Sequence, residues 1–314
     1  MKKLLGLMVL TLFVLSLESS FSQRLTITVK NTITVDKPVS QLLYGNFIEM
    51  GFGRCENLWA EMLEIAGPYI DIVNNRGGNI KMQTADMAII REYNQKNNRN
   101  ITMCHSEFRA PLVRASSGAD ELNRVERKGK NSIQNMSVRW AFGMSVMDQF
   151  LQFQDFGGDY SFLNFTSLND TWGENLINLA KEGAFLSSCG KALEFLNKLP
   201  IAYPLASESK TEDPDIHMHP SWNRDKTVFT LLVLNFSGVE KEYSFDISEL
   251  KTKFNSEATH LTVYADNDKD FNSPADRNKI KNIDEKATIS KNSFSTKLKP
   301  YSANAWIFEV KKIK

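Results

Sequence analysis

The stretch Met103-Cys104-His105-Ser106-Glu107 is where the fold prediction begins. Together with the two residues before it, its apolar pattern predicts a short strand over 101–105 that ends near Glu107. A loop with Pro111 follows, so Glu107 stands where a strand gives way to a loop. Catalytic groups of βα architectures collect at this end of their strands. Glu107 is therefore a candidate catalytic carboxylate, and a solvated glutamate at a loop edge is the alternative.

Side-chain alternation divides the polar residues of this strand between its two faces. Successive side chains point in opposite directions, so His105 and Glu107 are expected on one face and Cys104 on the other. Cys104 and His105 are thus not expected to pair as nucleophile and base. Glu49 likewise ends a predicted strand, over 41–49, before a glycine-bearing loop. Two carboxylates at strand ends suit sugar chemistry, which needs an acid and a nucleophile or base.

Strands and helices alternate on both sides of this stretch, which is typical of an α/β region. The charged segment 113–134 predicts a surface loop. Predicted strands cover 24–30, 41–49, 69–74, 101–105 and 160–165, and predicted helices cover 58–65, 82–95, 140–153 and 174–198. The aromatic and methionine residues of 140–153 are interpreted as core.

The pattern changes at Pro200, after which short alternating runs replace the helices. These runs cover 227–235, 241–247, 258–265, 287–290, 293–298 and 303–310. Regularly spaced short strands are typical of a β-sandwich. The fold class predicted from the residues is therefore α/β plus all-β, divided into 23–199 and a C-terminal β-sandwich over 200–314.

Composition restricts the class of function. The 314 residues carry 38 Lys and Arg against 37 Asp and Glu, and 42% are hydrophobic. A chain with that apolar content can bury a core. Its balanced charge argues against nucleic acid as a partner, because neutralising phosphates needs a basic surplus.

The N-terminus has the pattern of a secretory signal peptide over residues 1–22. Lys2 and Lys3 precede an apolar run over 4–17, and Ser20 and Ser22 form a small-x-small cleavage site. We therefore expect a secreted or periplasmic protein, with an uncleaved anchor helix as the alternative. No later segment is apolar enough to predict a membrane span.

Three cysteines remain after such cleavage, Cys55, Cys104 and Cys189, and their spacing fits no zinc pattern. An odd count leaves at least one unpaired, and we interpret most of them as buried structural thiols.

Four alternating residues form the strongest candidate for a metal site. Asp213, Asp215, His217 and His219 would share one face of an extended segment. A polar loop is the alternative, which we favour because two prolines, at 214 and 220, interrupt strand geometry. We predict no metal, and the sequence contains neither a Walker loop nor a complete Gly-x-Gly-x-x-Gly pattern.

The segment Leu43-Tyr44-Gly45-Asn46-Phe47-Ile48-Glu49, with Gly53-Arg54 and Trp59-Ala60-Glu61-Met62-Leu63, closely resembles the opening of family 51 glycoside hydrolases, the α-L-arabinofuranosidases. Weaker similarities follow in the family's order. They are Ile101 to Phe108, Asn164 to Asn169, Leu232 to Asn235, Asp270 to Pro274, and Tyr301-Ser302.

The resemblance implies a (β/α)8 TIM-type barrel followed by a β-sandwich on which the N-terminal strand packs. It implies retaining hydrolysis of terminal arabinofuranosyl groups without a cofactor, on arabinose-containing polysaccharides or oligosaccharides. Glu107 would be the nucleophile, Glu49 a ligand of a sugar hydroxyl, and Asn169 a residue near the sugar. The chain departs from the family pattern at Phe108, where a Trp is usual, and at Ser167, where a Gln is expected.

The family's acid/base is a Glu preceded by Asn, and no Asn-Glu dipeptide occurs in this sequence. The resemblance places Glu49 on strand one and Glu107 on strand seven, although only 58 positions separate them. Six strand-plus-helix steps need on the order of 180 residues. Barrel strands two to five are thus predicted to be missing, with the join near 64–69.

Three hypotheses follow from this absence. The first is an arabinofuranosidase-like hydrolase impaired by loss of its acid/base. The second is a secreted carbohydrate-binding protein that does not cleave its ligand. The third is a non-functional product of a truncated gene. The sequence leaves the oligomeric state open.

Overall fold

The computed structural model describes residues 25–39, 72–74, 80–108, 139–165, 176–181, 183–209, 213–288 and 292–311. The predicted signal peptide 1–22, the strand 41–49, the helix 58–65 and the loop 113–134 lie outside these residues. Glu49, Cys55 and Asn169 also lie outside them. None of the helices in the described ranges is long and apolar enough to cross a bilayer.

The described residues form three α-helices and fourteen strands, numbered here in chain order. The helices are α1 (Ile80–Asn97), α2 (Trp140–Gln152) and α3 (Ser188–Leu196). The strands are β1 (Leu25–Ile33), β2 (Ile72–Asn74), β3 (Thr102–Phe108), β4 (Tyr160–Phe165), β5 (Ile177–Ala180), β6 (Gly183–Leu186), β7 (Tyr203–Ser209), β8 (Ile216–Trp222), β9 (Val228–Asn235), β10 (Lys241–Asp246), β11 (Glu257–Tyr264), β12 (Lys281–Thr288), β13 (Ser293–Leu298) and β14 (Ser302–Glu309). The predicted helices 82–95 and 140–153 are confirmed as α1 and α2.

Nine strands form one large sheet in the order β12-β11-β14-β9-β8-β7-β1-β10-β13. Strand β7 changes its pairing partner along its length. Its first residues, Tyr203 and Pro204, pair with β8, and later residues such as Ser207 pair with β1. Side chains from both halves meet in one buried cluster, which includes Val29 of β1 and Trp306 of β14. This two-layered arrangement fits the predicted β-sandwich.

Strand β1 belongs to this large sheet, although it comes first in the chain. It pairs antiparallel with β7 and parallel with β10, where Leu25 lies opposite Tyr243 and Ile27 lies opposite Phe245. The N-terminal strand thus packs with the C-terminal strands, as the family resemblance implies.

A second sheet has the order β2-β3-β4, and both strand pairs are parallel. Helix α1 connects the parallel neighbours β2 and β3, which makes a βαβ unit. Such a unit fits part of an α/β barrel, and the complete (β/α)8 architecture stays a prediction.

A hydrophobic core joins the two sheets through the buried helix α2. Alternate residues of β9 divide between its faces: Leu231 and Val233 point into the two-layered sheet, whereas Leu232 and Leu234 join the cluster around α2. Every residue of α2 from Trp140 to Leu151 is buried, as expected of a helix that is covered all round. The core therefore continues across the predicted domain boundary at 199/200. That boundary stays a prediction.

The predicted helix 174–198 is wrong over its first half. Residues 177–180 and 183–186 form the antiparallel hairpin β5–β6, and among the described residues of this segment only Ser188–Leu196 is α-helical. Gly183 has φ of 114°, a conformation that favours glycine and lets the chain turn. The Ser187 side chain then accepts a hydrogen bond from Gly190 N at 3.0 Å and caps α3.

Three strands of the large sheet were not predicted correctly. Strand β12 covers 281–288 rather than 287–290, and most of its residues are exposed. As an edge strand it needs little apolar pattern, and its lysines discourage pairing with other chains. Strands β7 and β8 were not predicted, and β8 replaces the polar loop expected around Pro220. That proline is tolerated because β7 pairs only with the last two residues of β8.

Candidate functional site

The candidate site lies at the edge where the three parallel strands end. Strands β2, β3 and β4 end at Asn74, Phe108 and Phe165, and parallel pairing brings these ends to one edge. Glu107 occupies the penultimate position of the central strand β3. The backbone therefore places the predicted nucleophile position at the carboxyl edge of this sheet, where catalytic groups of α/β barrels collect.

A β-bulge interrupts β3 next to Glu107. His105 is paired with Leu163 and Phe108 with Phe165, so β3 has one residue more than β4 over this interval. Bulges re-aim side chains and are over-represented next to active sites. The bulge also interrupts the strict alternation on which we based the expectation that His105 and Glu107 share a face.

Met103, Cys104 and His105 of β3 are buried and serve packing. His105 is 5% exposed and Cys104 is 2% exposed. The Cys104 Sγ lies 3.7 Å from Oδ1 of Asn74 on β2. Burial raises the pKa of the Cys104 thiol to about 12, which suppresses the nucleophilic thiolate. With the buried Cys189, this confirms the interpretation of these two cysteines as structural thiols.

Asp159 lies at the opposite, amino-terminal end of the sheet, directly before β4. Its carboxylate accepts hydrogen bonds from Arg91 Nε at 2.8 Å and from Lys37 Nζ at 3.0 Å. Burial alone would raise the pKa of Asp159, but the bonds from Arg91 and Lys37 outweigh burial and lower it. These contacts tie α1 and the segment after β1 to the start of β4.

An aromatic cluster fills the space under the sheet. The rings of Phe153 and Phe156 lie 4.9 and 5.5 Å from that of Tyr160. The Tyr160 hydroxyl donates to Gln83 Oε1 at 3.4 Å. Burial raises the pKa of Tyr160, so its phenol stays protonated. The three rings are buried in the hydrophobic core. This confirms the sequence-based interpretation of Phe153 as a core residue.

The four alternating residues considered as metal ligands separate into two groups, because β8 begins only at Ile216. Asp213 precedes the strand and accepts from Lys241 Nζ at 2.8 Å and from the Tyr243 hydroxyl at 2.6 Å. Burial alone would raise the pKa of Asp213, but these bonds lower it. The described residues contain no group of three or more His, Cys, Asp or Glu that would hold a metal ion.

His217 and His219 instead contact Asp148 of α2. The His217 Nδ1 lies 2.7 Å from Asp148 Oδ1, and the His219 Nε2 lies 3.5 Å from the same oxygen. Burial alone would raise the pKa of the Asp148 carboxyl, but the two histidines hold it well below its usual range. Sequence reasoning missed Asp148, whose only signal was an acidic residue within an apolar helical stretch.

Several solved structures that resemble this chain are α-L-arabinofuranosidases. The enzyme from Thermotoga maritima, solved with arabinose, matches with a TM-score of 0.61 and 14% identity over 80% of this chain. The family 51 enzyme from Thermotoga petrophila matches with a TM-score of 0.60 and 14% identity, and that from Bifidobacterium longum with 0.57 and 10%. Both matches also cover 80% of this chain.

The fold is similar to part of the family 51 arabinofuranosidase fold. The chain spans only about 55% of the length of these structures, in agreement with a shortened version of the family 51 fold. Neither a protein-family model nor a curated protein matches the sequence. The family 51 similarity therefore rests on the tertiary structure and on the motifs quoted above.

Proposed function

We propose that this chain is a shortened, family 51-type glycoside hydrolase that acts on arabinose-containing saccharides. In this proposal Glu107 is the nucleophile, and Glu49 and Asn169 are sugar ligands. The observation that carries it is the position of Glu107 beside a bulge at the carboxyl edge of β2-β3-β4. Similarity to solved arabinofuranosidases supports the class of substrate.

The proposed reaction begins when the Glu107 carboxylate attacks the anomeric carbon and the aglycone oxygen leaves. A complete retaining enzyme has a second carboxyl about 5 Å away that protonates this oxygen and later activates water. Loss of such a group costs about 10²–10⁴-fold in rate. We therefore propose that both steps occur but are impaired, because the sequence contains no Asn-Glu dipeptide.

Two aryl arabinofuranosides test this proposal. A dinitrophenolate leaves without protonation, so we expect the dinitrophenyl arabinofuranoside to react much faster than the mononitrophenyl one. Azide needs no deprotonation to attack, so it should accelerate release of the sugar and yield the arabinofuranosyl azide. Equal rates on both substrates without an azide effect would contradict the loss of the acid/base.

Substitution separates Glu107 from the other acidic residues. Glu107→Gln should abolish dinitrophenol release, because an amide does not form the glycosyl-enzyme. Glu92→Gln, at an exposed position of α1, is the matched control and should keep the wild-type rate. If the protein binds to insoluble arabinan but hydrolyses neither aryl glycoside, that result would instead favour the non-catalytic carbohydrate-binding alternative.

The proposed location is outside the cytoplasm, through cleavage of residues 1–22. N-terminal sequencing of the protein recovered from the periplasm or medium of an expressing cell tests this. We expect Gln23 as the first residue, and an intact Met1 would contradict cleavage.

A further inference from the structure

A cavity of about 450 Å³ lies between the two edge strands of the large sheet, β12 and β13. These strands end the sheet order, and the sheet folds over so that both line the same space. Six of the lining residues carry the argument: His260, Thr262, Glu285, Ser295, Lys299 and Asn304. The volume falls within the range of about 300–1,000 Å³ typical of small-molecule sites.

A chain of hydrogen bonds with a fixed direction forms one wall of this cavity. The carbonyl of Lys299 can only accept, so the Ser302 hydroxyl donates to it at 2.7 Å. Ser302 Oγ must then accept from Asn304 Nδ2 at 2.8 Å, which turns the Asn304 carbonyl towards Thr262. The Thr262 hydroxyl donates to that carbonyl at 3.2 Å.

His260 continues this chain to the surface. Its Nε2 lies 3.1 Å from Thr262 Oγ1, and its Nδ1 lies 2.9 Å from Glu285 Oε1. Because Thr262 donates to Asn304, it can only accept from His260. Both ring nitrogens of His260 therefore face hydrogen-bond acceptors. It stacks on Trp306 with 4.5 Å between ring centroids and 7° between planes.

This direction distinguishes the group from a catalytic triad. The order hydroxyl, histidine and carboxylate has the spacing of a nucleophile, a base and the group that orients the base. A base must accept the proton of the nucleophile, whereas His260 donates to Thr262. The arrangement presents fixed polar groups to a ligand and does not activate a nucleophile.

Charges around the cavity balance. Lys297 pairs with Glu240 at 3.0 Å and lies opposite Glu242 in the strand register, while His260 pairs with Glu285. The lining carries Lys297 and Lys299 against Glu242 and Glu285, so no excess charge favours an ionic ligand. Asn304 keeps a second amide hydrogen and Thr262 a second lone pair, and such mixed donors and acceptors suit hydroxyl groups.

We propose that this cavity binds one unit of a neutral saccharide, at a site separate from the carboxyl edge of β2-β3-β4. The polar wall is itself buried, with Thr262 at 4% and Asn304 at 2% exposed. Bonds within the wall hold these side chains in place before a ligand arrives, which reduces the entropy lost on binding.

Titration of the ¹⁵N-labelled full chain with L-arabinose, D-xylose and D-galactose tests the proposal, with D-glucuronate as the charged comparison. At least one neutral sugar should shift the amide signals of β11, β13 and β14. Thr262→Val should weaken that sugar's affinity about tenfold, because it removes a buried hydrogen-bonding group. Thr259→Val, on the same strand but the opposite face, is the matched control and should bind as wild type.

A second pair of variants leaves the buried network intact. Ser295→Trp should block the mouth of the cavity, whereas Ser293→Trp, at an exposed position of the same strand outside the cavity, should not. Sugar binding that Thr262→Val and Ser295→Trp both leave unchanged would overturn the proposal, as would shifts confined to β2, β3 and β4. Binding of glucuronate alone, or of none of these sugars, would overturn it as well.

Discussion

The Nδ1 of His217 lies 2.7 Å from Oδ1 of Asp148, which joins strand β8 of the large sheet to helix α2. The two residues are 69 positions apart in the chain. Asp148 has a side-chain exposure of 3%, and His219 contacts the same oxygen. A buried carboxylate thus holds the helix of the α/β region against a strand of the β region.

Asp148→Asn should lower the free energy of unfolding at pH 7 by about 2 kcal/mol, because it removes a buried charge that both histidines face. The folded pKa of Asp148 lies below the unfolded value of about 3.9, so the stabilisation is present above that pH. It is lost as the pH falls through the folded pKa.

Urea unfolding at pH 7 and at pH values below about 4 checks this prediction. The difference between wild type and Asp148→Asn should narrow on acidification. Asp225→Asn, in an exposed turn, is the control and should change stability little at either pH. A difference that widens as the pH falls would show that the sign is wrong.

Gly143→Ala should destabilise the fold, although alanine is the better helix former by about 1 kcal/mol. A Cβ at Gly143 of α2 would lie 2.6 Å from the carbonyl oxygen of Ser188, the first residue of α3. Backbone does not yield easily, so we expect a net loss of about 1–3 kcal/mol in urea unfolding. Gln95→Ala, at an exposed position of α1, is the control and should leave the free energy of unfolding unchanged or raise it. An equal gain in stability from Gly143→Ala would contradict the close approach of α2 to the Ser188 carbonyl.

Tyr243→Phe should cost about 1 kcal/mol of unfolding free energy, because Asp213 loses one of its hydrogen bonds. Asp213 keeps the bonds from Lys241, so the loss should stay moderate. Tyr264→Phe is the matched control on β11. A double-mutant cycle with Lys241→Met should give a coupling of about 0.5–3 kcal/mol. If the stability losses of the two single variants simply add, Tyr243 and Lys241 do not act through the same Asp213 carboxylate.

Cys104 should resist alkylation in the folded protein. It is 2% exposed, and burial raises the pKa of its thiol to about 12. Iodoacetamide at pH 8 should leave the Cys104 and Cys189 peptides unmodified in native protein and label both in urea, as mass spectrometry would show. Native labelling of Cys104 at the rate of a free thiol would contradict its burial.

The elements predicted well are those whose pattern is local. The periodicity of 82–95 and 140–153 predicted α1 and α2, and the alternation of 227–235 and 303–310 predicted β9 and β14. Each of these segments buries whole faces, so the period of its apolar residues reflects its structure. The hairpin β5–β6 was missed although Gly183 and the cap at Ser187 were visible in the sequence, because its apolar residues also suit a helix.

Features that depend on neighbouring strands were predicted poorly. Strand β12 has few apolar residues because it is an edge, and β8 contains Pro220, which only its position beside β7 permits. The bulge beside Glu107 is a mismatch between β3 and β4, so neither strand shows it alone. Glu49 and Asn169 lie outside the described residues, and their roles stay predictions.

The sequence by itself determined the succession of α/β and β-rich regions, the position of Glu107 near the end of a strand, and the absence of an Asn-Glu dipeptide. These are properties of neighbouring residues, so the order of amino acids is sufficient to establish them. Only the tertiary structure decided that β1 joins the C-terminal strands, that Asp148 meets His217, and that His260, Thr262 and Asn304 line one cavity. Such contacts depend on sheet register and on how the sheet folds over, which are set by packing among residues far apart in the chain.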